Sequence, residues 1–421
     1  MENITGQEVA TWGMQPDIFE DAPILFDKLD ALAELAVRVG LGPDMPNALI
    51  VRAPLESVPF ARRIAHYAYR HGVGSVTCLY DDPLLLRDRL ACSSLLVPNN
   101  EPDWLPVALA GAFTKQSACI DILGPYPDLL NGIPTERIVR AHLANHIALR
   151  PVREAMREAH TRQVQLAWVT TSWARQVFPT RPHREAIHAL WQIILAASRA
   201  NMPAPEIAWK EHQKRLLKRQ ERLQEGGYHS IHIYDARSDL IVGLAMGHRW
   251  QMGTAPGQIR SFPSEALYTC PSRAQAEGIL YLARPIIVGG RTIDGGRLEF
   301  RGGQVVSVYA DQGQDVLEQL MVSDEGARRL GKIALVPASS PLAAHGLSFY
   351  CALLDENACS HVTLGQHDAE CIDSNTGGYD CGANFSALHL DCMFGQADTA
   401  VDGLLPNGSR APLMRHGEFL F

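Results

Sequence analysis

Over roughly the first half of the chain, apolar positions alternate between two textures. Leu25, Leu29, Leu32, Leu35, Ala36 and Val39 keep the three-and-four spacing of a helix face, and Gly40 with Gly42 closes the run. Ala48 to Val51 then reads as a short buried strand, Ser57 to His71 as an amphipathic helix, and Ser75 to Tyr80 as another strand. The alternation continues with a helix over Trp104 to Phe113, a strand over Cys119 to Leu123, a helix over Arg137 to His160, and a strand over Gln165 to Thr170. A helix from Arg184 to Ala200 follows; Pro203 and Pro205 break it before a basic helix. Strands separated by helices predict a mostly parallel sheet covered on both faces.

After Gly226-Gly227 the texture changes to short strands and turns: His229 to Tyr234, Leu240 to Leu244, Ile279 to Leu282, Ile286 to Val288, Leu298 to Arg301 and Val305 to Tyr309. The pairs Gly289-Gly290, Gly295-Gly296 and Gly302-Gly303 punctuate them. Asp315 to Lys332 reads as a helix, and Gln366 to Asn384, rich in Asp, Gly and Cys, as a loop. The chain is thus expected to be α/β. An N-terminal domain, residues 1–227, has a mostly parallel sheet and flanking helices, and a strand-rich α+β domain, residues 228–421, carries the chemistry. The first dozen residues are polar and are expected to be mobile.

Composition narrows the function. With 421 residues, 46% of them hydrophobic, two cores are affordable, and a net charge of −8 argues against nucleic acid as the main partner. The most basic stretch, Lys210 to Arg222, has Leu216, Leu217 and Leu223 along one side and reads as an amphipathic helix with one solvated face. No run of 18 apolar residues suggests a membrane span, and the acidic N-terminus lacks the form of a signal peptide, so a cytoplasmic setting is expected. Nine cysteines, none in a C-x-x-C pair, fit neither a disulfide framework nor a zinc ribbon. Cys351, Cys359, Cys371, Cys381 and Cys392 read as small buried hydrophobes. No G-x-x-x-x-G-K followed by Ser or Thr, and no strand-linked G-x-G-x-x-G, is present, so nucleotide binding has no support.

The candidate chemistry lies near the C-terminus. His389 and Asp391 are two residues apart, the period of a strand, so both side chains point to one face, and His361 can join them on one divalent ion. Around these residues, Ser323 to Val336, Ser340-Pro341, Phe349-Tyr350 and Leu354-Asp-Glu-Asn-Ala358 resemble the thermophilic-type metalloaminopeptidases, the aminopeptidase T and aminopeptidase S family. The likeness runs almost end to end, from Ile50-Val-Arg-Ala-Pro54 through Leu149 to Glu154, Gly247 to Trp250 and Pro263-Ser-Glu265 to Val401-Asp-Gly403.

The resemblance implies two adjacent metal ions held by two glutamates, two histidines and an aspartate, with a tyrosine assisting peptide hydrolysis in a homodimer with an enclosed access path. Carried over, it names Glu265, His361, His389 and Asp391 as ligands, but the second glutamate falls on Lys332 and the tyrosine on Asp368. An ammonium in place of a carboxylate changes the charge by two units, so one metal ion is expected, with Lys332 in the vacated cation position and Glu265 or Asp368 as its counter-ion. Two imidazoles and one carboxylate have the composition of non-haem iron(II) oxygenases, and the 2,5-dihydroxypyridine dioxygenases of the same fold are similar in this respect. The leading expectation is therefore an iron(II) oxygenase acting on a small polar molecule, with Asp368 or His367 moving protons and Lys332 neutralising negative charge. The rival expectations are a zinc, cobalt or manganese aminopeptidase acting on a peptide N-terminus, with Glu265 as general base, and a catalytically silent homologue.

Overall fold

The alternating segments form a four-stranded, wholly parallel sheet in the spatial order Ser75–Asp81, Ala48–Pro54, Ser117–Leu123 and Arg162–Ala167. The Ser117–Leu123 strand is buried at every residue but the last, as a strand covered by helices on both faces must be. This computed structural model describes residues 23–421 apart from 94–103, 128, 256–257, 289, 374–380 and 396. The polar N-terminal segment expected to be mobile lies outside the described residues.

Several helices depart from the expected bounds for local reasons. The segment read as one helix from Arg137 to His160 is two, Thr135–Ala148 and Arg150–Glu158, because Pro151 has no N–H to continue the first ladder and is suited to starting the second. Helices at Pro83–Cys92 and Thr171–Val177 had no counterpart in the apolar spacing. The basic helix is Pro205–Glu225; Trp209, His212, Leu216 and Leu223 form its buried stripe, while Leu217 is exposed.

The second half is antiparallel. An eight-stranded sheet includes Pro271–Tyr281, Asp239–Leu244, Ser230–Tyr234 and Ala400–Leu404 as neighbours. A five-stranded sheet runs in the order His389–Met393, His361–Gly365, Leu330–Leu335, Leu267–Thr269 and Gln251–Met252. The helix expected from Asp315 to Lys332 stops at Met321, and Leu330–Leu335, buried at every residue, is the central strand of this sheet. A short continuous apolar run does not distinguish a buried strand from a helix by period, which accounts for the misreading.

The two halves share packing. Leu342, Phe349, Cys351, Leu353 and Leu354 belong to the same core as the parallel sheet, and the Trp173 indole donates to the Phe349 carbonyl. The short helix Ala352–Ala358 is therefore anchored on the first core while it leads into His361 of the second sheet. All nine cysteines are free, and of the five near the site Cys351, Cys359, Cys371 and Cys392 are buried while Cys381 is half-buried. Among the described residues no helix is long and apolar enough to cross a membrane.

Candidate metal centre

Register brings the site residues together. Lys332 pairs with Thr363 on the next strand, and Thr363 pairs with Asp391 on the one after, so the three stand in a row on one face. One step along, Ala334 pairs with His361; in the other direction Gly365 pairs with His389. His389, Asp391, Thr363, His361 and Lys332 thus share a face by strand alternation.

On that face, ligand atoms of Glu356, His361 and Asp391 lie within 4.8 Å of one another, close enough to hold a metal ion. Glu356 comes from the Ala352–Ala358 helix, five residues before His361. Asp391 accepts a hydrogen bond from the Thr363 hydroxyl and faces the Lys332 ammonium at 3.3 Å. The same ammonium is 3.9 Å from Glu356 and lies over the Tyr268 ring at 5.8 Å from its centroid.

His361 is the sharpest indication of a missing partner. Its Nδ1 faces the Cys359 carbonyl at 3.4 Å, which assigns the proton there and leaves the lone pair on Nε2. That Nε2 is buried with no hydrogen-bond partner. A buried bare acceptor is costly unless something binds it. Burial, aided by the Lys332 charge, lowers the imidazole pKa to about 4, so it is neutral and able to ligate.

The carboxylates differ from one another. Burial pushes the Glu356 carboxyl up to about 7, against the opposing pull of Lys332. Burial acts the same way on Asp391, but Lys332, His389 and His361 outweigh it and hold that carboxyl well below its usual range. For Lys332 burial favours the neutral amine, yet Asp391, Asp368 and Glu356 together carry its pKa above that of an ordinary lysine. The ammonium is therefore charged, although only 7% of Lys332 is exposed.

The other expected residues take different places. His389 is beside Asp391, Nε2 to Oδ2 3.7 Å, with its ring 31% exposed, and it is not in the close group. Glu265 is buried with one oxygen bonded to Arg199 at 2.8 Å and the other 3.5 Å from His212 Nε2, so the counter-ions nearest Lys332 are Asp391 and Glu356 instead. Asp368 is half-buried and acts on the Lys332 charge. His367 turns Nδ1 to the Asn384 carbonyl at 2.7 Å and packs its ring edge against Phe385.

Glu356 lies within Leu354-Asp-Glu-Asn-Ala358, and nothing in its spacing separates it from Asp355, which is buried and accepts from the Phe349 and Cys351 amides. His142 and His146 stand one turn apart on the Thr135–Ala148 helix. Burial lowers both, and the nearby His389 adds to the effect. A cavity of about 440 Å³ lies nearby, lined by Arg284, Cys359 and Ser360 among others, but none of Glu356, His361, Asp391 or Lys332 lines it.

Comparison with known proteins decides between the expected chemistries. The sequence matches the thermophilic metalloprotease (M29) family over residues 26–419. The chain belongs to this family. It is 39% identical over 402 residues to aminopeptidase T of Thermus aquaticus, covering 94% of this chain and 98% of that protein. Aminopeptidase AmpS of Bacillus subtilis (strain 168) is 30% identical over 407 residues, with 94% and 98% covered. The structure of wild-type AmpT from Thermus thermophilus superposes with a TM-score of 0.85 at 38% identity, covering 94% of this chain and all of that one.

Membership in the M29 family overturns the iron(II) oxygenase expectation, since the relatives carry aminopeptidase names and the family is one of metalloproteases. The geometry gives a physical reason as well. The close group is one imidazole with two carboxylates, whereas the oxygenase reading needed two imidazoles with one. The expected fold is borne out: a mixed α/β chain with a parallel sheet and antiparallel, strand-rich sheets on the aminopeptidase T architecture. The chain is a metal-dependent hydrolase of aminopeptidase-like fold.

Proposed function

We propose that this protein is a metalloaminopeptidase that removes the N-terminal residue of peptides, with zinc, cobalt or manganese held by Glu356, His361 and Asp391. The observation that carries the reading is the bare, buried Nε2 of His361 facing two carboxylates. A divalent ion bound there would polarise the scissile carbonyl and lower the pKa of a water molecule.

The chain's own residues supply the rest. Thr363 and Lys332 orient Asp391 from opposite partners, one by a hydrogen bond and one by charge. The Lys332 ammonium is placed to steady negative charge that develops on the carbonyl oxygen. Asp368, half-buried beside that charge, is the group available to move a proton between water and the departing amine. His389 borders Asp391 on the more exposed side, where a substrate would enter. Family membership supports the peptide substrate, through the names of the relatives.

The test is metal-dependent release of the first residue from short peptides. Protein stripped with a chelator should be inactive and recover with zinc, cobalt or manganese, and His361→Ala should lose at least ~100-fold in kcat/KM. Full activity in the stripped enzyme, or no activity with any of these metals, would sink the proposal.

A further inference from the structure

We infer that Lys332 is a resident cation that fills the place of a second metal ion, so that the centre takes one divalent ion per chain. The inference rests on Glu356, His361 and Asp391 holding that ion, and it adds the stoichiometry and the residue that sets it.

Three observations converge. First, Lys332 shares its partners with the ion: its Nζ is 3.3 Å from Asp391 Oδ1 and 3.9 Å from Glu356 Oε2, the two carboxylates of the close group. Any further cation that bridged these carboxylates would have to stand against the ammonium. Second, the ammonium is fixed. Lys332 is on the central strand of the sheet, 7% exposed, and its Nζ lies over the ring of Tyr268. The Tyr268 hydroxyl is itself tied to Glu370, which pairs with Arg260, so the ring has little freedom to release the ammonium.

Third, the charges balance with one ion. Glu356, Asp391 and Asp368 are the carboxylates that act on Lys332. Counted as formal charges, these three carboxylates, one ammonium and one dication sum to zero, and two of the carboxylates stand 3.3 and 3.9 Å from the ammonium itself. A second dication would leave two uncompensated positive charges in a largely dehydrated pocket. It would also lack ligands, because among the described residues Glu356, His361 and Asp391 make the only close group of potential ligands.

Replacing Lys332 by glutamate reverses this arithmetic: four carboxylates then balance two dications, and the ammonium's place is filled by a ligand. The experiment is elemental mass spectrometry of the full chain after equilibration with excess zinc, cobalt or manganese and removal of the free metal. The wild type should hold one ion per chain, Lys332→Met one, and Lys332→Glu two. Two ions in the wild type overturn the inference and leave the metal-site reading standing. No ion in the wild type overturns both. A single ion in a Lys332→Glu protein with wild-type circular dichroism shows that the ammonium is not what excludes the second. Should Lys332→Glu fail to fold, the wild-type ratio still decides, since two ions there contradict a site balanced for one.

Discussion

Asp391 shows how much one side chain's neighbours determine. It accepts from Thr363, faces Lys332 and borders His389, and its carboxyl is held ionised against burial. Thr363→Val removes a hydrogen bond without removing a ligand, and should weaken zinc affinity roughly tenfold, as loss of an orienting partner does. Competition with a chromogenic chelator measures this, and unchanged affinity would remove Thr363 from the account. Residues of the candidate centre were legible in the sequence to an unequal degree. His389 and Asp391 stand out by their two-residue spacing and His361 by the family resemblance, whereas Glu356 does not, because a glutamate on a short helix has no periodic signature. Glu265 illustrates the reverse case: its placement depends on Arg199 and His212, which come from distant parts of the chain. His212 also bears on acid stability. Burial holds its pKa down to about 3, so below the ordinary histidine pKa the unfolded chain takes up a proton that the folded one refuses. Stability is then lost as pH falls from about 7 toward 3, and this residue alone contributes about 2 kcal/mol of that loss at pH 5. Urea unfolding at pH 7 and pH 5 should show the decline, and it should be shallower in His212→Gln.

The elements succeed or fail as readings according to how local their causes are. The parallel sheet followed from apolar runs set between helical spacings, since each strand is covered by its own neighbours in sequence. The start of the Leu330–Leu335 strand, as far as Lys332, has the texture of a helix end because its burial comes from strands more than 25 residues away in the chain, Leu267–Thr269 and His361–Gly365, which no local period reveals. The end of His361–Gly365 makes a second demand. Gly365 has φ 101°, and a Cβ there would run into the Leu388 carbonyl, next to His389. Gly365→Ala should therefore cost about 3 kcal/mol and displace the strand that carries His389 and Asp391. Chemical denaturation gives the first quantity and metal titration the second. A variant with wild-type stability would mean that the turn tolerates a side chain.

At the scale of the molecule, the centre stands where two bodies of packing meet. Leu353 and Leu354, on the helix that presents Glu356, are buried in the core of the parallel sheet, while His361 and Asp391 belong to the antiparallel one. Leu354→Ala should cost about 3 kcal/mol by leaving a cavity, and it should also lower metal affinity, because the helix loses its seat. Thermal unfolding with and without zinc separates the two effects; a stability loss with unaltered metal binding would show that the helix position does not depend on that core. The central claim is that the assembled site releases residues from a free peptide N-terminus. Its most direct test is mass spectrometry of a short peptide and its N-acetylated twin, incubated with the zinc- or cobalt-loaded protein. Stepwise shortening of the free peptide alone is the predicted result, and equal cleavage of both peptides, or of neither, would contradict it.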